Sequence, residues 1–250
     1  MEIELKENER IDDLQFKGLK IIQNEKGFCF GIDSILLSEF AKNIKKDAKV
    51  VDIGTGTGII AILLSKKTEA KKIYGVEIQP EVSEMANRSV KLNNLEGKVE
   101  IINEDIKNIF KNNKIEKNTI DVITINPPYK EKNTGIINEN NNKLISRHET
   151  TADLKDFIEI SSKLLKSKGE FYIVHKVERL VDIIYLMREN KLEPKNIRFI
   201  YPSEGKEANL VLVKAIKDAK KFLKVDKPLY VYDNNGKYTK DVLEIYNLEM

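Results

Sequence analysis

A glycine-rich turn between a short hydrophobic strand and a helix constrains the fold of this chain more than any other feature. Val50-Val-Asp-Ile53 is predicted to be a buried strand, glycines follow at positions 54, 56 and 58, and a hydrophobic helix is predicted from Gly58 to Lys67. Glycine allows backbone amides to approach a ligand closely at the start of a helix. The turn is typical of sheets that bind ligands along the carboxyl ends of parallel strands.

Strands and helices alternate along the rest of the central sequence. The predicted strands are Lys72–Ile78, Val99–Ile102, Asn118–Ile125, Gly169–His175, Ile197–Tyr201 and Leu210–Ala215, and the predicted helices are Pro80–Asn93, Asp153–Lys166 and Glu178–Glu189. This order predicts an α/β fold with a doubly wound, mainly parallel, seven-stranded sheet that is covered on both faces.

The two ends of the chain have different patterns. Residues 1–45 are predicted to form a small β-rich extension, with strands Leu19–Gln23 and Gly27–Phe30, followed by a helix that Asp33-Ser34 caps. The main domain is predicted to span residues 46–216. Residues 217–250 form a tail that is expected to pack on this domain, with a strand at Leu229–Tyr232 and a final helix that ends near Asn247.

Composition excludes several classes of protein. Among 250 residues, 41% are hydrophobic and 33% are charged, and the net charge of +3 is mild. One cysteine and two histidines make a Cys/His zinc site implausible, so we expect no metal. No apolar run reaches the roughly 18 residues that span a bilayer, and the acidic N-terminus is unlike a signal peptide. We therefore expect a cytoplasmic protein without a membrane partner.

Asn126-Pro-Pro-Tyr129 follows directly after the predicted strand that ends at Ile125. An Asn at this end of a parallel strand can direct its side-chain carbonyl into the ligand crevice. The two prolines remove two backbone donors and leave the local carbonyls as acceptors, and Tyr129 adds a flat ring. These groups suit a planar substrate that carries an amino group. The alternative is an ordinary turn that ends a strand.

Glycine spacing alone leaves the cofactor open. Gly56-Thr-Gly-Ile-Ile-Ala61 fits a dinucleotide-binding pattern, with Glu77 where a ribose-binding acid belongs. Three features favour S-adenosyl-L-methionine over NAD: Asp52 precedes the first glycine, Asp105 follows the next strand, and no hydride-transfer partner is evident. So many carboxylates would repel the pyrophosphate of NAD, whereas they are compatible with a zwitterionic cofactor that carries a sulfonium. A glycine turn that serves packing alone is the remaining alternative.

With these motifs in this order, the chain resembles the class I S-adenosylmethionine-dependent methyltransferases. The Asn-Pro-Pro-Tyr version resembles the enzymes that methylate exocyclic amino or amide nitrogens. Phe28-Cys-Phe-Gly-Ile-Asp33-Ser-Ile-Leu-Leu37, and Arg147-His-Glu149 before the helix at Asp153, resemble segments of the bacterial tRNA1(Val) adenine-N6 methyltransferase family. The likeness runs from about residue 14 to 215, and Pro228-Leu-Tyr-Val-Tyr-Asp233 resembles the ending of Gram-positive-type members.

The resemblance implies a role for each motif. Asn126 and Pro127 would accept hydrogens from the target amine. Tyr129, which follows Pro128, would stack on the base. If stacking is its whole role, Tyr129→Phe should leave activity nearly unchanged. Cofactor binding is implied for Asp33, Asp52, Gly54, Gly56, Gly58, Glu77, Ile78, Asp105, Ile106 and Asn126. Contacts with RNA phosphates are implied for Lys130, Lys132, Lys143 and Arg147.

The predicted function is methyl transfer from S-adenosyl-L-methionine to the N6 amine of an adenine in RNA, with tRNA or another structured RNA as partner. The nearest alternative is methylation of a protein glutamine, although that family carries a helical substrate domain before the cofactor loop. A non-catalytic RNA-binding module is the other alternative, disfavoured because Asp52, Glu77 and the tetrapeptide are intact. The oligomeric state is not predicted.

Overall fold

The computed structural model describes residues 4–27, 29–111, 114–129 and 152–247. The strands are β1 (Glu9–Asp13), β2 (Lys20–Asn24), β3 (Lys49–Ile53), β4 (Lys72–Glu77), β5 (Val99–Asn103), β6 (Ile120–Ile125), β7 (Leu165–Lys176), β8 (Leu192–Tyr201), β9 (Leu210–Lys217), β10 (Lys224–Val225) and β11 (Leu229–Tyr230). The helices are α1 (Ile32–Phe40), α2 (Ile59–Lys67), α3 (Pro80–Leu92), α4 (Leu154–Leu164), α5 (Leu180–Glu189) and α6 (Lys240–Tyr246).

One large sheet organises the described part of the chain. Its strand order is β10-β8-β9-β7-β6-β3-β4-β5, and β11 also pairs with β8. Pairing is parallel from β7 through β5, whereas β9 is antiparallel to both β7 and β8. The predicted α/β fold with seven main strands is therefore confirmed, and two short strands of the tail extend the edge.

The sheet is buried on both faces because its central strands are apolar at successive positions. Val50 packs in a core with α1, α2 and α3, whereas the next residue, Val51, packs in a second core with α4 and α5. Successive strand residues point to opposite faces, which explains the division. Helix α2 is buried from Ile59 to Ser65, as its uniformly apolar sequence predicts.

Local signals set the helix ends. Pro80 occupies the first position of α3. Asp153 caps α4 as predicted: its side chain accepts from the Asp156 amide, and the Asp156 carboxylate accepts from the Asp153 amide. Helix α4 ends at Leu164 rather than Lys166, because the chain turns directly into β7, which is longer than predicted.

The predicted N-terminal hairpin is wrong in one strand. Strand β2 pairs with β1, and Gly27, Cys29 and Phe30 lie outside any strand. The hairpin docks on α3, where the Ser89 hydroxyl accepts from the Ile22 amide and the Arg88 guanidinium forms a two-point ion pair with Glu9. These contacts join residues 67 and 79 positions apart in the chain, so a prediction based on neighbouring segments missed them.

The tail continues along the sheet edge. Strand β11 is shorter than the predicted Leu229–Tyr232, and α6 packs near α1. A hairpin at Asp233–Lys237 stacks Tyr232 on Tyr238, with ring centroids 5.4 Å apart. Within the described ranges, no helix is long and apolar enough to cross a membrane.

Candidate active site

The cofactor motif and the Asn-Pro-Pro-Tyr motif lie at the same edge of the sheet. Strand β3 lies between β4 and β6, with Ile53 paired to both Val76 and Ile125. The residues that follow these three strands therefore meet: the glycine turn after β3, Glu77 at the end of β4, and Asn126 after β6. This is the crevice where open parallel sheets bind ligands.

The glycine turn requires glycine at all three positions. Gly54, Gly56 and Gly58 have φ values of +67°, +57° and +89°, which side chains rarely adopt. A Cβ atom added at Gly54 or Gly56 would meet no atom within 4 Å, so the turn is open on that side. Gly58 instead faces the Ala86 Cβ at 3.5 Å and packs the turn against α3. The turn therefore leaves a space that side chains would fill.

The amides of this turn donate to protein oxygens. Those of Gly54 and Thr55 donate to the Val76 carbonyl at 2.9 and 3.0 Å, and that of Gly58 donates to the Thr55 carbonyl at 2.9 Å. The Gly56 amide donates to Glu77 Oε2 at 3.0 Å. A pyrophosphate binds through backbone amides that point at the ligand from the start of a helix, and these four amides already donate to protein oxygens. The turn therefore fits S-adenosyl-L-methionine better than a dinucleotide.

Backbone amides hold the Glu77 carboxylate in place, and its oxygens can accept further hydrogen bonds. Its Oε1 accepts from the Gln79 amide at 2.9 Å, and the side chain is buried. Burial raises the pKa of this carboxyl, and the amide hydrogen bonds from Gln79 and Gly56 oppose that rise. Each carboxylate oxygen can accept more than one hydrogen bond, so Glu77 suits a pair of ribose hydroxyls. Ile78 follows it, half-buried.

Asp105 lies one strand further along the edge. Asn103, at the end of β5, donates to the carbonyls of Glu77 and Ile78 at 2.9 and 3.1 Å, which fixes the two strand ends together. Asp105 Oδ1 accepts from the Lys107 amide at 2.9 Å and caps a short helical turn, and Ile106 is buried. The structure thus brings Asp105 and Ile106 to the neighbourhood of Glu77.

Asp52 lies beneath the turn rather than on its open side. It is fully buried, and its two carboxylate oxygens accept from the Thr55 and Thr124 hydroxyls at 2.6 and 2.7 Å. Burial raises the pKa of Asp52 to about 7, against the two threonine hydrogen bonds and with a further rise from the nearby charge of Glu77. Asp52 therefore positions the turn, and its direct contact with an ammonium group stays a prediction.

Asn126 and Tyr129 are anchored to the start of α1. The Asn126 Nδ2 donates to the Ser34 Oγ at 3.0 Å. The Tyr129 hydroxyl lies 2.6 Å from Asp33 Oδ2 and 3.0 Å from Asn126 Oδ1. A phenol has one proton, and the shorter contact to a charged acceptor takes it. Asn126 Oδ1 is therefore left as an acceptor beside the tyrosine ring.

The ring of Tyr129 is supported from the side. His175 contacts it edge-on, with centroids 5.2 Å apart. Burial lowers the pKa of His175 to about 4, with a smaller contribution from the charge of Arg179, so this imidazole is neutral at pH 7. Burial and the adjacent Asp33 carboxylate hold the pKa of Tyr129 well above its ordinary value, so its hydroxyl remains a donor.

The structure adds one residue that the sequence reasoning missed. Ser34 is buried and accepts a hydrogen bond from the Asn126 side-chain amide, but its position after Asp33 suggested only helix capping. Pro127 is buried and Pro128 is exposed. The predicted RNA contacts Lys130, Lys132, Lys143 and Arg147 lie outside the described residues. In the part of the chain that the structure covers, no cluster of His, Cys, Asp and Glu could hold a metal ion.

A family comparison agrees with this geometry. The model for the methyltransferase small domain matches residues 32–188, which include α1, the glycine turn and the Asn-Pro-Pro-Tyr motif. The chain belongs to this family. It is an S-adenosylmethionine-dependent methyltransferase, as the resemblance implied.

Curated relatives are similar over most of the chain. One is the tRNA1(Val) (adenine(37)-N6)-methyltransferase of Histophilus somni strain 129Pt, 28% identical over 91% of this chain and 92% of the relative. The enzyme of the same name from Porphyromonas gingivalis strain W83 is 27% identical over 69% of this chain and 68% of the relative.

Solved structures share the fold. A predicted O-methyltransferase from Agrobacterium tumefaciens superposes with a TM-score of 0.69 at 20% identity, and covers 86% of this chain and 95% of its own. M. jannaschii TYW2 in complex with AdoMet has a TM-score of 0.56 at 17% identity, with coverage of 86% and 87%.

Proposed function

We propose that this enzyme transfers a methyl group from S-adenosyl-L-methionine to the N6 amine of an adenine in tRNA, at adenine 37 of tRNA1(Val) as in the names of its relatives. The observation that carries the proposal is the placement of Asn126. Its side-chain amide donates to Ser34, and its Oδ1 lies 3.0 Å from the Tyr129 hydroxyl. The strand that precedes Asn126 is the neighbour of the strand that precedes the cofactor turn.

Methyl transfer to an adenine amine needs hydrogen-bond acceptors for the amine more than it needs a general base. An adenine amine donates its lone pair into the ring and is a poor nucleophile. Asn126 Oδ1 and the Pro127 carbonyl would accept its two hydrogens and favour a more tetrahedral nitrogen, which stabilises the positive charge that develops on it. The cofactor supplies an electrophilic methyl group on a sulfonium sulfur. The product nitrogen then loses its proton to water, so no side chain needs to titrate.

The ring of Tyr129 provides a surface on which the target base can stack. Stacking of this kind contributes about 1–3 kcal/mol per base. The base must leave its own stack to reach the crevice, which costs least in a single-stranded loop. The contact with His175 and the hydrogen bond to Asp33 hold the ring in position before the substrate arrives.

The cofactor residues divide into two groups in this proposal. Glu77, Ile78, Asp105 and Ile106 would bind the ribose and adenine. Gly54, Gly56 and Gly58 would admit the methionine part, with Asp33, Asp52 and Asn126 near it. Lys130, Lys132, Lys143 and Arg147 remain proposed contacts of RNA phosphates. Because the proposed substrate is tRNA, we place the activity in the cytoplasm.

The test is a substrate panel with methyl-labelled cofactor. The protein is incubated separately with tRNA, ribosomal RNA, DNA and a release factor, and labelled nucleic acid is digested to nucleosides. The proposal expects label in tRNA as N6-methyladenosine. Label in the release factor, with none in RNA, would instead identify a glutamine methyltransferase and reject the proposal.

A further inference from the structure

Lysines from three segments of the chain meet at the sheet edge opposite Asn126. Strands β7 and β8 start at this edge and β9 ends there, because β9 runs antiparallel to both. The Asp218 amide donates to the Lys191 carbonyl at 2.9 Å, and its carbonyl accepts from the Lys168 ammonium. The Lys195 ammonium donates to the Lys220 carbonyl at 3.1 Å. These bonds bring together a lysine patch of Lys168, Lys191, Lys195, Lys220 and Lys221.

The patch carries positive charge that the protein does not neutralise. Two nearby carboxylates pair with other cations, Glu193 with Arg188 at 2.7 Å and Asp226 with Lys224 at 3.1 Å. Asp218 adds one negative charge against the five positive charges of the patch. Among the described residues, none of the five patch lysines takes part in an ion pair. Five like charges repel one another at low salt, and a polyanion would relieve that repulsion.

An exposed aromatic ring lies within the patch. The side chain of Phe222 is 71% exposed, and the Lys195 ammonium lies 5.6 Å from its ring centroid. Leu223 and Val225 beside it are also exposed. A soluble protein rarely leaves a phenylalanine this open among unpaired cations without a partner. Lysines that bind phosphates around a ring that packs on sugars or bases are characteristic of RNA-binding surfaces.

We infer that the lysine patch and Phe222 form a second contact surface for the RNA substrate, an inference that rests on the proposed function. Strand β6 has six residues and separates the two ends of the sheet, so the patch lies at least about 20 Å from the methyl-transfer crevice. It would therefore bind the sugar–phosphate backbone of a part of the RNA away from the target base. The patch contributes to affinity for the whole RNA and takes no part in the chemical step.

The experiment measures RNA affinity as a function of salt for two matched variants. The patch variant carries Lys191→Gln, Lys195→Gln, Lys220→Gln and Lys221→Gln. The control variant makes the same change at four exposed lysines scattered elsewhere, Lys26, Lys46, Lys66 and Lys91. Both lose four positive charges, so a difference between them reports position rather than net charge. A Lys220→Gln/Lys221→Gln double variant repeats the test at two fully surface positions, in case the larger set disturbs folding.

Each phosphate contact contributes about 0.7–0.9 to the slope of log affinity against log salt. With four lysines removed, the patch variant should lose about 3–4 from this slope. It should bind tRNA at least about tenfold more weakly at 50 mM salt, with KM for tRNA raised and kcat unchanged. A patch variant that binds tRNA with the slope of the control would overturn the inference. Both variants are also sedimented with phosphatidylserine vesicles. If the patch variant no longer sediments with the vesicles but keeps the salt slope of the control for tRNA, the inference is overturned and the patch is assigned to a membrane surface.

The two proposals fail in different ways. If the wild type methylates tRNA and the patch variant does so with unchanged KM, the patch inference alone is wrong. If the wild type methylates no RNA at all, the proposed function is wrong, and the binding slopes still decide whether the patch contacts RNA.

Discussion

The hydroxyl of Tyr129 should matter for turnover, although stacking on a base needs only a ring. It donates to Asp33 Oδ2 at 2.6 Å in a largely buried setting. Hydrogen bonds to charged groups contribute about 1.5–3 kcal/mol, and 1.36 kcal/mol corresponds to a factor of ten. Tyr129→Phe removes this bond and leaves Asp33 Oδ2 without the tyrosine donor, whereas Oδ1 still accepts from the Ser34 amide at 2.9 Å. If about half of this loss falls on the placement of the ring, kcat/KM for tRNA drops by about three- to tenfold.

The chain offers a matched control for this variant. Tyr172 makes the same kind of bond, from its hydroxyl to Glu170 Oε2 at 2.7 Å, outside the crevice. Tyr172→Phe should lower stability comparably and leave kcat/KM unchanged, whereas Tyr129→Phe should lower kcat/KM at constant cofactor affinity. Steady-state kinetics, calorimetry with S-adenosylhomocysteine and thermal melting separate these effects. A Tyr129→Phe enzyme with wild-type kcat/KM would refute the link between the Asp33 contact and catalysis.

Three further predictions concern the neighbouring anchors. Ser34→Ala removes the acceptor of the Asn126 amide and should lower kcat about tenfold. Ser38→Ala breaks a buried hydroxyl bond in the same helix and should leave kcat unchanged. Equal effects of the two substitutions on kcat would show that Ser34 does not position Asn126. Glu77→Ala should weaken S-adenosylhomocysteine binding by about 1–3 kcal/mol in calorimetry, because buried ribose hydroxyls lose their acceptor; unchanged binding would exclude Glu77 from the ribose site. Since the folded-state pKa of Asp52 is about 7 against an ordinary 3.8, the folded protein keeps a proton that the unfolded chain releases, and stability should fall as pH rises from about 4 to 7. Urea unfolding at pH 5 and pH 8 should show a smaller fall for Asp52→Asn, and equal falls would contradict the assignment.

The sequence predicted the parts of the site that follow from local order along the chain. Glycines after β3, an acid at the end of β4 and Asn126 after β6 necessarily converge once the strands are parallel and adjacent. The strand and helix patterns were sufficient for that inference because most positions in the central strands are apolar. This is why Glu77, Asp105 and Asn126 were all placed at one edge.

The contacts that the sequence could not predict join distant segments. Ser34 and Asn126 are 92 residues apart, and Asp33 and Tyr129 are 96 apart. No periodicity encodes such pairs, since they depend on where α1 lies on the finished sheet. The strand predicted at Gly27–Phe30 is wrong for a related reason, because β2 pairs instead with β1, and both strands contact α3 through Ser89 and Arg88.

The most direct test of the central claim is the turnover of Asn126→Ala on tRNA. The claim is that Asn126 Oδ1 stabilises the amine as it becomes tetrahedral, so its loss should reduce kcat by about 10²–10³, by analogy with the loss of one oxyanion-hole donor. Affinity for S-adenosylhomocysteine, measured on the same preparation, should stay within about twofold of the wild type. A variant that methylates every wild-type substrate at the normal rate would show that the tetrapeptide is only a turn, and that the proposed mechanism is wrong.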